Sequence, residues 1–180
     1  NIYYQILGEG VYKFEKGKPK QISSHPVLRE NRLVNIFNEG NRLLFQTTES
    51  GFYFLDESGF SKWEIPADGI ISKLSVYASQ RLKDGSFILG TISKGLYQLD
   101  RSGNLINHID RNKGLNNNTI LGLYQDRDQN LWLGLDNGIS LINTNSQFSY
   151  YSGFGENLGA VYAAVIFNDN MYLGTNQGLY

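Results

Sequence analysis

The 180-residue sequence has no cysteine, which excludes disulfides, thiolate metal sites and thiol nucleophiles. Its two histidines, His25 and His108, are too few for a catalytic zinc site with three histidine ligands. Only three prolines stand against twenty glycines, twelve tyrosines and ten phenylalanines. This composition predicts many short aromatic strands separated by turns, and it disfavours long helices.

An excess of charge of either sign is also missing, because 16 lysines and arginines face 17 aspartates and glutamates and the net charge is -1. We therefore expect no direct contact with nucleic acid and no electrostatic attraction to an anionic membrane. The longest apolar run, Ala160 to Phe167, is far shorter than the roughly 18 residues that cross a bilayer. The first residues lack an initiator methionine and a basic leader, so we expect any targeting or membrane segment to lie outside this sequence.

A repeat organises the sequence. A glycine followed by an apolar residue returns at intervals of 40 to 44 residues, at Gly10, Gly51, Gly95, Gly138 and Gly178. An apolar triplet precedes each of these glycines, at residues 2–4, 43–45, 87–89, 131–133 and 171–173. Such a period indicates a repeat architecture and must be explained by any proposed fold.

Each repeat has the pattern of four short strands. In the copy from 119 to 151 the strands are predicted at Thr119–Gln125, Leu131–Leu135, Ile139–Asn143 and Gln147–Tyr151, with turn-forming residues between them. The Asn137-Gly138 pair predicts a two-residue type I′ hairpin with positive φ at both positions. The strands of one repeat are therefore expected to form an antiparallel meander.

The apolar triplets do not alternate with polar residues, so both faces of these strands must be covered. Stacked blades of a β-propeller cover both faces, and a blade of four strands takes about 40 to 45 residues. The sequence therefore predicts an all-β fold, a β-propeller segment of four-stranded antiparallel blades. Trp132 lies in the same repeat position as Leu44 and Ile88 and is expected to be buried between blades, whereas Trp63 is expected to be half-buried on an outer strand.

The repeat also predicts the blade boundaries. Three blades are expected at residues 31–65, 72–109 and 119–151, with partial blades at 1–24 and 160–180. Because a closed propeller has about four to eight blades, a fragment of a larger propeller is the simplest interpretation.

One repeat carries a family resemblance. Residues 114–142 contain Gly-Leu-Asn-Asn-Asn at 114–118, Tyr-Gln-Asp at 124–126, Asn-Leu-Trp-Leu-Gly at 130–134 and Asp-Asn-Gly-Ile at 136–139. This stretch resembles the two-component regulator propeller repeat. Residues 171–180 repeat its second half, whereas the copies at 31–56 and 72–99 lack the tryptophan and the Gly-Leu-x-Asn-Asn loop.

The resemblance implies a non-enzymatic, extracytoplasmic sensor of a bacterial membrane regulator that responds to an oligosaccharide. It implies a periplasmic location, an inner-membrane helix outside this chain, and output through a kinase or a DNA-binding domain. The partners it implies are the oligosaccharide, the remaining blades and signalling domains of the same protein, and a second copy in a homodimer. No cofactor is expected.

Sequence motifs for metal binding, nucleotide binding or catalysis are weak in comparison with the propeller repeat. Asp126-x-Asp128-x-Asn130 begins like a calcium loop but lacks its later glycine and glutamate, so a plain β-turn is expected. The glycines at 153, 155 and 159 lack dinucleotide-loop spacing. Glu9, Glu49 and Asp136 occupy comparable turns and leave a carbohydrate-active lyase or glycosidase open as an alternative. A protein-interaction scaffold is a third alternative, disfavoured because its Gly-His and Trp-Asp signatures are absent.

Strand alternation predicts where a ligand binds. Turns between second and third strands emerge on the same face as the connections between blades, predicted as long polar loops at residues 25–31, 66–71, 111–118 and 152–159. Loops on a rigid scaffold commonly carry function. The candidate ligand-binding residues on this face are Arg29, Glu49, Lys94, Arg111, Asn116, Asp136 and Asn176.

Overall fold

The described part of the chain folds into short strands that form five separate sheets. The computed structural model describes residues 2–143, 159–168 and 170–180. In every sheet, consecutive strands pair in antiparallel order. No helix within these described ranges is long and apolar enough to cross a membrane.

The strands are numbered in chain order. The first sheet contains β1 (Ile2–Ile6), β2 (Gly10–Glu15) and β3 (Lys18–Ser23). The second contains β4 (Leu33–Asn38), β5 (Leu43–Thr47), β6 (Phe52–Asp56) and β7 (Gly59–Trp63). The third contains β8 (Val76–Arg81), β9 (Phe87–Thr91), β10 (Leu96–Leu99) and β11 (Leu105–Ile109). The fourth contains β12 (Ile120–Gln125), β13 (Asn130–Leu135) and β14 (Ile139–Asn143), and the fifth contains β15 (Val161–Phe167) and β16 (Asn170–Thr175).

The predicted fold class is confirmed, since the structure is all-β and contains four-stranded antiparallel meanders. In the fourth sheet, three predicted strands agree with β12, β13 and β14 to within one residue at each end. The fourth predicted strand of that repeat, at 147–151, lies outside the described residues.

The predicted type I′ turn at Asn137-Gly138 is wrong. Gly138 has a φ of 91°, but Asn137 does not have a positive φ. The β13–β14 turn instead places one glycine in the left-handed region, as in hairpins that combine a type I turn with a glycine bulge. Its closing hydrogen bond runs from the Leu135 amide to the Gly138 carbonyl, at 3.0 Å.

The first four sheets stack on one another through three hydrophobic clusters. Val11 of the first sheet packs with Phe45 of the second, and Leu44 of the second packs with Phe87 of the third. The third and fourth sheets share a cluster that includes Ile88 and Leu133. This face-to-face stacking, with β4, β8 and β12 as neighbouring first strands, is the arrangement of propeller blades.

An aromatic group fills the space between the second and third sheets. The Phe87 ring lies 5.5 Å from Phe37, 5.4 Å from Phe52 and 5.8 Å from Trp63, measured between ring centroids. Trp63 is half-buried on β7 as predicted. Edge-to-face and tilted arrangements of this kind are favourable for the ring quadrupoles.

The predicted burial of Trp132 is wrong. Leu44 and Ile88, at the same repeat position, are 0 % and 1 % exposed, whereas Trp132 is 41 % exposed. Its cross-strand neighbours Tyr124 and Leu141 are exposed as well. The reason is that the next sheet covers this position in the second and third sheets, while no described residues cover it in the fourth.

The connections between sheets differ from the predicted polar loops. They contain α1 (Pro26–Glu30), α2 (Asp68–Ile71) and a 3-10 turn at Arg111–Lys113. Each also buries an aliphatic side chain between sheets, namely Leu28, Ile71 or Leu115. The predicted connection at 152–159 lies outside the described residues except for its last glycine.

Candidate functional site

The turns between second and third strands and the connections between sheets form one surface, called here the turn face. Backbone hydrogen bonds join its parts. Thr48, in the β5–β6 turn, donates its amide to the Arg32 carbonyl before its own sheet and accepts from the Val76 amide at the start of the next sheet. Ile92, in the β9–β10 turn, donates its amide to the Ser75 carbonyl before its own sheet, and its carbonyl accepts from the side-chain hydroxyl of Thr119, just before the next sheet. The turns and connections predicted to share one face are therefore joined to one another by hydrogen bonds.

Threonine and glycine hold three of these turns in the same way. Thr91 Oγ1 donates to the Gly95 carbonyl and accepts from the Lys94 amide. Thr47 makes the equivalent bonds to Gly51 and Ser50. Thr175 Oγ1 likewise donates to the Gly178 carbonyl, and it accepts from the amides of Gln177 and Gly178. Glycine recurs because its φ is positive at all five repeat positions, for example 75° at Gly95. Thus the period in the sequence marks turns of defined shape.

The structure places the seven candidate residues as follows. Arg29 lies in the last turn of α1, and Arg111 and Asn116 lie in the connection before β12. The other four lie in or beside turns that follow second strands: Glu49, Lys94, Asp136 and Asn176. Among the described residues, no hydrogen bond or ion pair links the side chains of any two of them. Ligand binding by these seven residues stays a prediction.

Some of the seven are nevertheless close in the fold. The Asn118 carbonyl accepts from the Gly95 amide and its side chain accepts from the Arg111 amide, so the connection at 111–118 lies against the turn that contains Lys94. The Asp136 amide donates to Thr119, and Arg29 Nε donates to the Gly8 carbonyl at 2.8 Å. Asn176 bonds to Ala160 within its own hairpin.

A β-bulge recurs at the start of each described first strand. The pairing register shifts by one residue at Val34 in β4, Tyr77 in β8, Leu121 in β12 and Tyr162 in β15. An extra residue of this kind redirects its side chain, and bulges are common beside functional sites. Tyr77 is 45 % exposed as a result of this geometry.

Beside Tyr77 the turn face contains a recess of about 170 Å³. Its lining combines one cationic residue with polar and apolar ones: Arg32, Leu33, Val34, Thr48, Val76, Tyr77 and Ile92. The Arg32 guanidinium carbon lies 5.7 Å from the centre of the Tyr77 ring. Sequence reasoning missed both residues. The available signal was the triplet Val76-Tyr77-Ala78, repeated at residues 161–163.

Aspartates stabilise turns on the opposite, far face. Trp132 Nε1 donates to Asp126 Oδ2 at 2.9 Å, and Asn130 also donates to this carboxylate. These bonds hold the pKa of the Asp126 carboxyl below its ordinary value. Hydrogen bonds from Asn104 lower the pKa of Asp100 in the same manner, and the Ser86 hydroxyl lowers that of Asp84. The carboxylate of Asp126 thus stabilises the turn that the sequence predicted at 126–130.

These aspartates should make the protein less stable in acid. A carboxyl whose pKa is lower in the folded chain stabilises it above the unfolded pKa of about 4, and this contribution is lost as the pH falls through the folded pKa. Urea unfolding from pH 7 to pH 2 should therefore show falling midpoints below about pH 4. Asp126→Asn and Trp132→Phe should each make this acid dependence smaller. An unchanged acid dependence in both variants would contradict the role of this hydrogen bond.

The histidines and carboxylates of the two faces belong to no metal-binding group: within the described ranges, no group of three or more His, Asp or Glu side chains could hold a metal ion. His25 Nδ1 accepts from the Val27 amide and caps α1, while His108 Nε2 lies 2.7 Å from the Lys94 carbonyl. Both histidines therefore have structural contacts.

Comparison with known proteins identifies the repeat. The model of the two component regulator propeller family matches residues 114–137. The predicted resemblance of this repeat is confirmed. No curated protein matches the chain.

Solved structures share the fold. The extracellular domain of BT3049, assigned to the hybrid two component systems of B. thetaiotaomicron, matches 98% of this chain with 20% identity and a TM-score of 0.61. The extracellular domain of BT4673 from the same organism, with the same assignment, matches 96% with 20% identity and a TM-score of 0.54. The chain spans about a quarter of either protein, 24% in each case. Virginiamycin B lyase from Staphylococcus aureus matches 95% of the chain, over 57% of its own length, with 14% identity and a TM-score of 0.52. This chain therefore has the β-propeller fold and carries, at residues 114–137, a repeat of the two component regulator propeller family.

Proposed function

We propose that this chain is a ligand-sensing segment of a bacterial extracytoplasmic sensor. The observation that carries the proposal is the two component regulator propeller repeat at 114–137. It is supported by the fold shared with extracellular domains assigned to hybrid two component systems. In this function the segment recognises a ligand and performs no chemistry on it.

The ligand of the proposed sensor is an oligosaccharide bound at the turn face. This surface combines exposed polar side chains with turns whose backbone is fixed by hydrogen bonds, so a ligand meets groups that are already positioned. Planar polar groups such as those of Arg111 and Asn116 suit the hydroxyls of a sugar. The signal then passes across the inner membrane, through parts of the protein outside this chain, to a kinase or a DNA-binding domain.

The proposed assembly follows from the same function. The segment contacts the remaining blades of its own protein, and two copies of the whole protein pair as a homodimer. It makes no direct contact with nucleic acid, and the protein is attached to the membrane through segments outside this chain.

Calorimetric titration with a panel of oligosaccharides tests the proposal, combined with chromatography of the sugars after incubation. We expect binding of at least one oligosaccharide without any cleavage product. Arg111→Ala combined with Asn116→Ala should weaken that binding at least about tenfold, because hydrogen bonds from a charged group contribute about 1.5 to 3 kcal/mol. Unchanged affinity in a variant with native melting behaviour would exclude the 111–118 connection from the site.

A propeller lyase or glycosidase is the second candidate, favoured by the shared fold of a lyase. Glu49 and Asp136 lie in turns of different sheets on the turn face, and Glu9 accepts a hydrogen bond from Tyr12. Turnover of any sugar in the same panel, abolished by Glu49→Gln or Asp136→Asn, would replace the sensor interpretation by an enzymatic one.

A further inference from the structure

We propose that the recess beside Tyr77 binds a carboxylated sugar unit of the oligosaccharide, with Arg32 as the residue that recognises the carboxylate. This inference rests on the proposed function, because it specifies which sugar chemistry the turn face selects. It depends on three observations about the described residues: the state of the Arg32 guanidinium, the walls of the recess, and the position of Tyr77 on a bulge.

The Arg32 guanidinium has no ionic partner among the residues that the structure describes. Four ion pairs occur among the described residues, and they involve Lys13, Arg42, Lys62 and Arg81. Arg32 takes part in none of them, and its side chain makes no hydrogen bond within the described ranges. Its contact is with the face of the Tyr77 ring, 5.7 Å from the ring centre. A guanidinium held by an aromatic ring keeps its N–H groups available for a carboxylate, which it can bind through two parallel hydrogen bonds.

The walls of the recess suit the carbon skeleton of one sugar ring. Val34 and Ile92 supply apolar surface beside the cation, above the buried Val76. The volume of about 170 Å³ is below the roughly 300–1,000 Å³ of pockets that enclose drug-sized ligands. The recess therefore accepts a single unit, and the rest of an oligosaccharide would extend over the turn face.

The β-bulge in β8 positions the Tyr77 ring beside the recess. The register shift between Val76 and Ala78 makes Tyr77 the extra residue of β8. The hydrogen bonds between Thr48 and both Arg32 and Val76 join the two sides of the recess. The cation, the ring and the apolar wall are therefore held together by backbone contacts between two adjacent sheets.

Two larger recesses lack this combination. One of about 360 Å³ lies between β1 and β4 and has no charged residue in its lining. The other, of about 380 Å³, is lined by Lys13 and Arg42, which already pair with Glu15 and Glu39. An unpaired cation is thus a distinguishing property of the recess at Tyr77 among these three.

Matched pairs of sugars provide the test. Calorimetry would compare oligogalacturonates, oligoglucuronates and oligomannuronates with their methyl esters, which keep the ring shape and lose the charge. We expect an acidic oligosaccharide to bind at least about tenfold more tightly than its ester, as for hydrogen bonds to a charged group. Arg32→Gln should remove this preference and leave the affinity for the ester unchanged.

Matched variants separate recognition from folding. Tyr77→Phe should keep the preference for the acid because the ring face remains, whereas Tyr77→Ala should weaken it. Arg127→Gln removes an equal charge on the far face and should change neither the affinity for the acidic sugar nor that for its ester. Melting curves would verify that each variant is folded.

The outcomes distinguish this inference from the proposed function. Binding of neutral oligosaccharides alone, or an acid preference that survives Arg32→Gln, would overturn the carboxylate site and leave the sensor proposal standing. Failure of every neutral and acidic oligosaccharide in both panels would overturn the oligosaccharide-sensing proposal itself, and the carboxylate site with it.

Discussion

Replacing Phe87 with alanine should lower the free energy of unfolding by about 3 to 5 kcal/mol, the usual cost of removing a buried phenylalanine side chain. Phe87 is 1 % exposed and contacts Phe37, Phe52 and Trp63. These residues belong to two adjacent sheets, so the change would leave a cavity between sheets that the rigid strands cannot close. Urea or guanidinium unfolding measures the loss directly.

Trp132→Ala is the matched control, because it also truncates a large aromatic side chain. We expect it to cost less than half as much, since 41 % of Trp132 is exposed and no following sheet covers it within the described part of the chain. Equal losses in the two variants would mean that Trp132 is buried between sheets, as its repeat position alone predicted. A loss below about 1 kcal/mol for Phe87→Ala would contradict the stacked-sheet core.

The second large effect is expected at a repeat glycine. Gly95→Ala should destabilise the chain by about 2 to 4 kcal/mol, through left-handed backbone strain and overpacking together. Gly95 has a φ of 75°, and an added Cβ would lie 2.3 Å from the carbonyl oxygen of Ile109, a backbone atom that cannot rotate away.

Gly138→Ala separates these two contributions. Gly138 has a similar φ of 91°, but an added Cβ would meet no atom within 4 Å. This variant should therefore show only the strain, about 1 kcal/mol. Denaturant midpoints of both variants measure the difference. Equal destabilisation would show that the close approach to Ile109 relaxes without cost.

The repeat made much of the fold predictable. A glycine that needs a positive φ returns once per sheet, and the apolar triplet before it marks the strand that is covered on both faces, as Leu44 and Phe45 show. Burial at the fourth sheet could not be predicted in this way. A repeat position specifies which neighbour a side chain would face, but the exposure of Trp132 depends on whether that neighbour is packed against it.

The candidate site was less accessible to sequence reasoning. Strand direction correctly placed turns and connections on one face, but it gives no information about a change of register. The bulge at Tyr77 depends on the pairing between β8 and β9, and the availability of Arg32 depends on the lack of an ion pair with any described residue. Neither property can be deduced from the residue types alone, although the sequence does show that Val-Tyr-Ala recurs at 76–78 and 161–163.

The threonine–glycine turns have a consequence for how such a protein can diversify. Thr91 and Gly95 fix the path of the backbone through bonds that do not involve the side chains at 92–94. Thr47 and Gly51 make the same bonds around Glu49, while the side chains of Thr48 and Ser50 bond to Arg32 and Asn31. Residues such as Glu49, Ser93 and Lys94 can therefore be exchanged during evolution with little cost to folding. New ligand specificities can arise on this face by substitution at a few turn positions, while the scaffold beneath them stays the same.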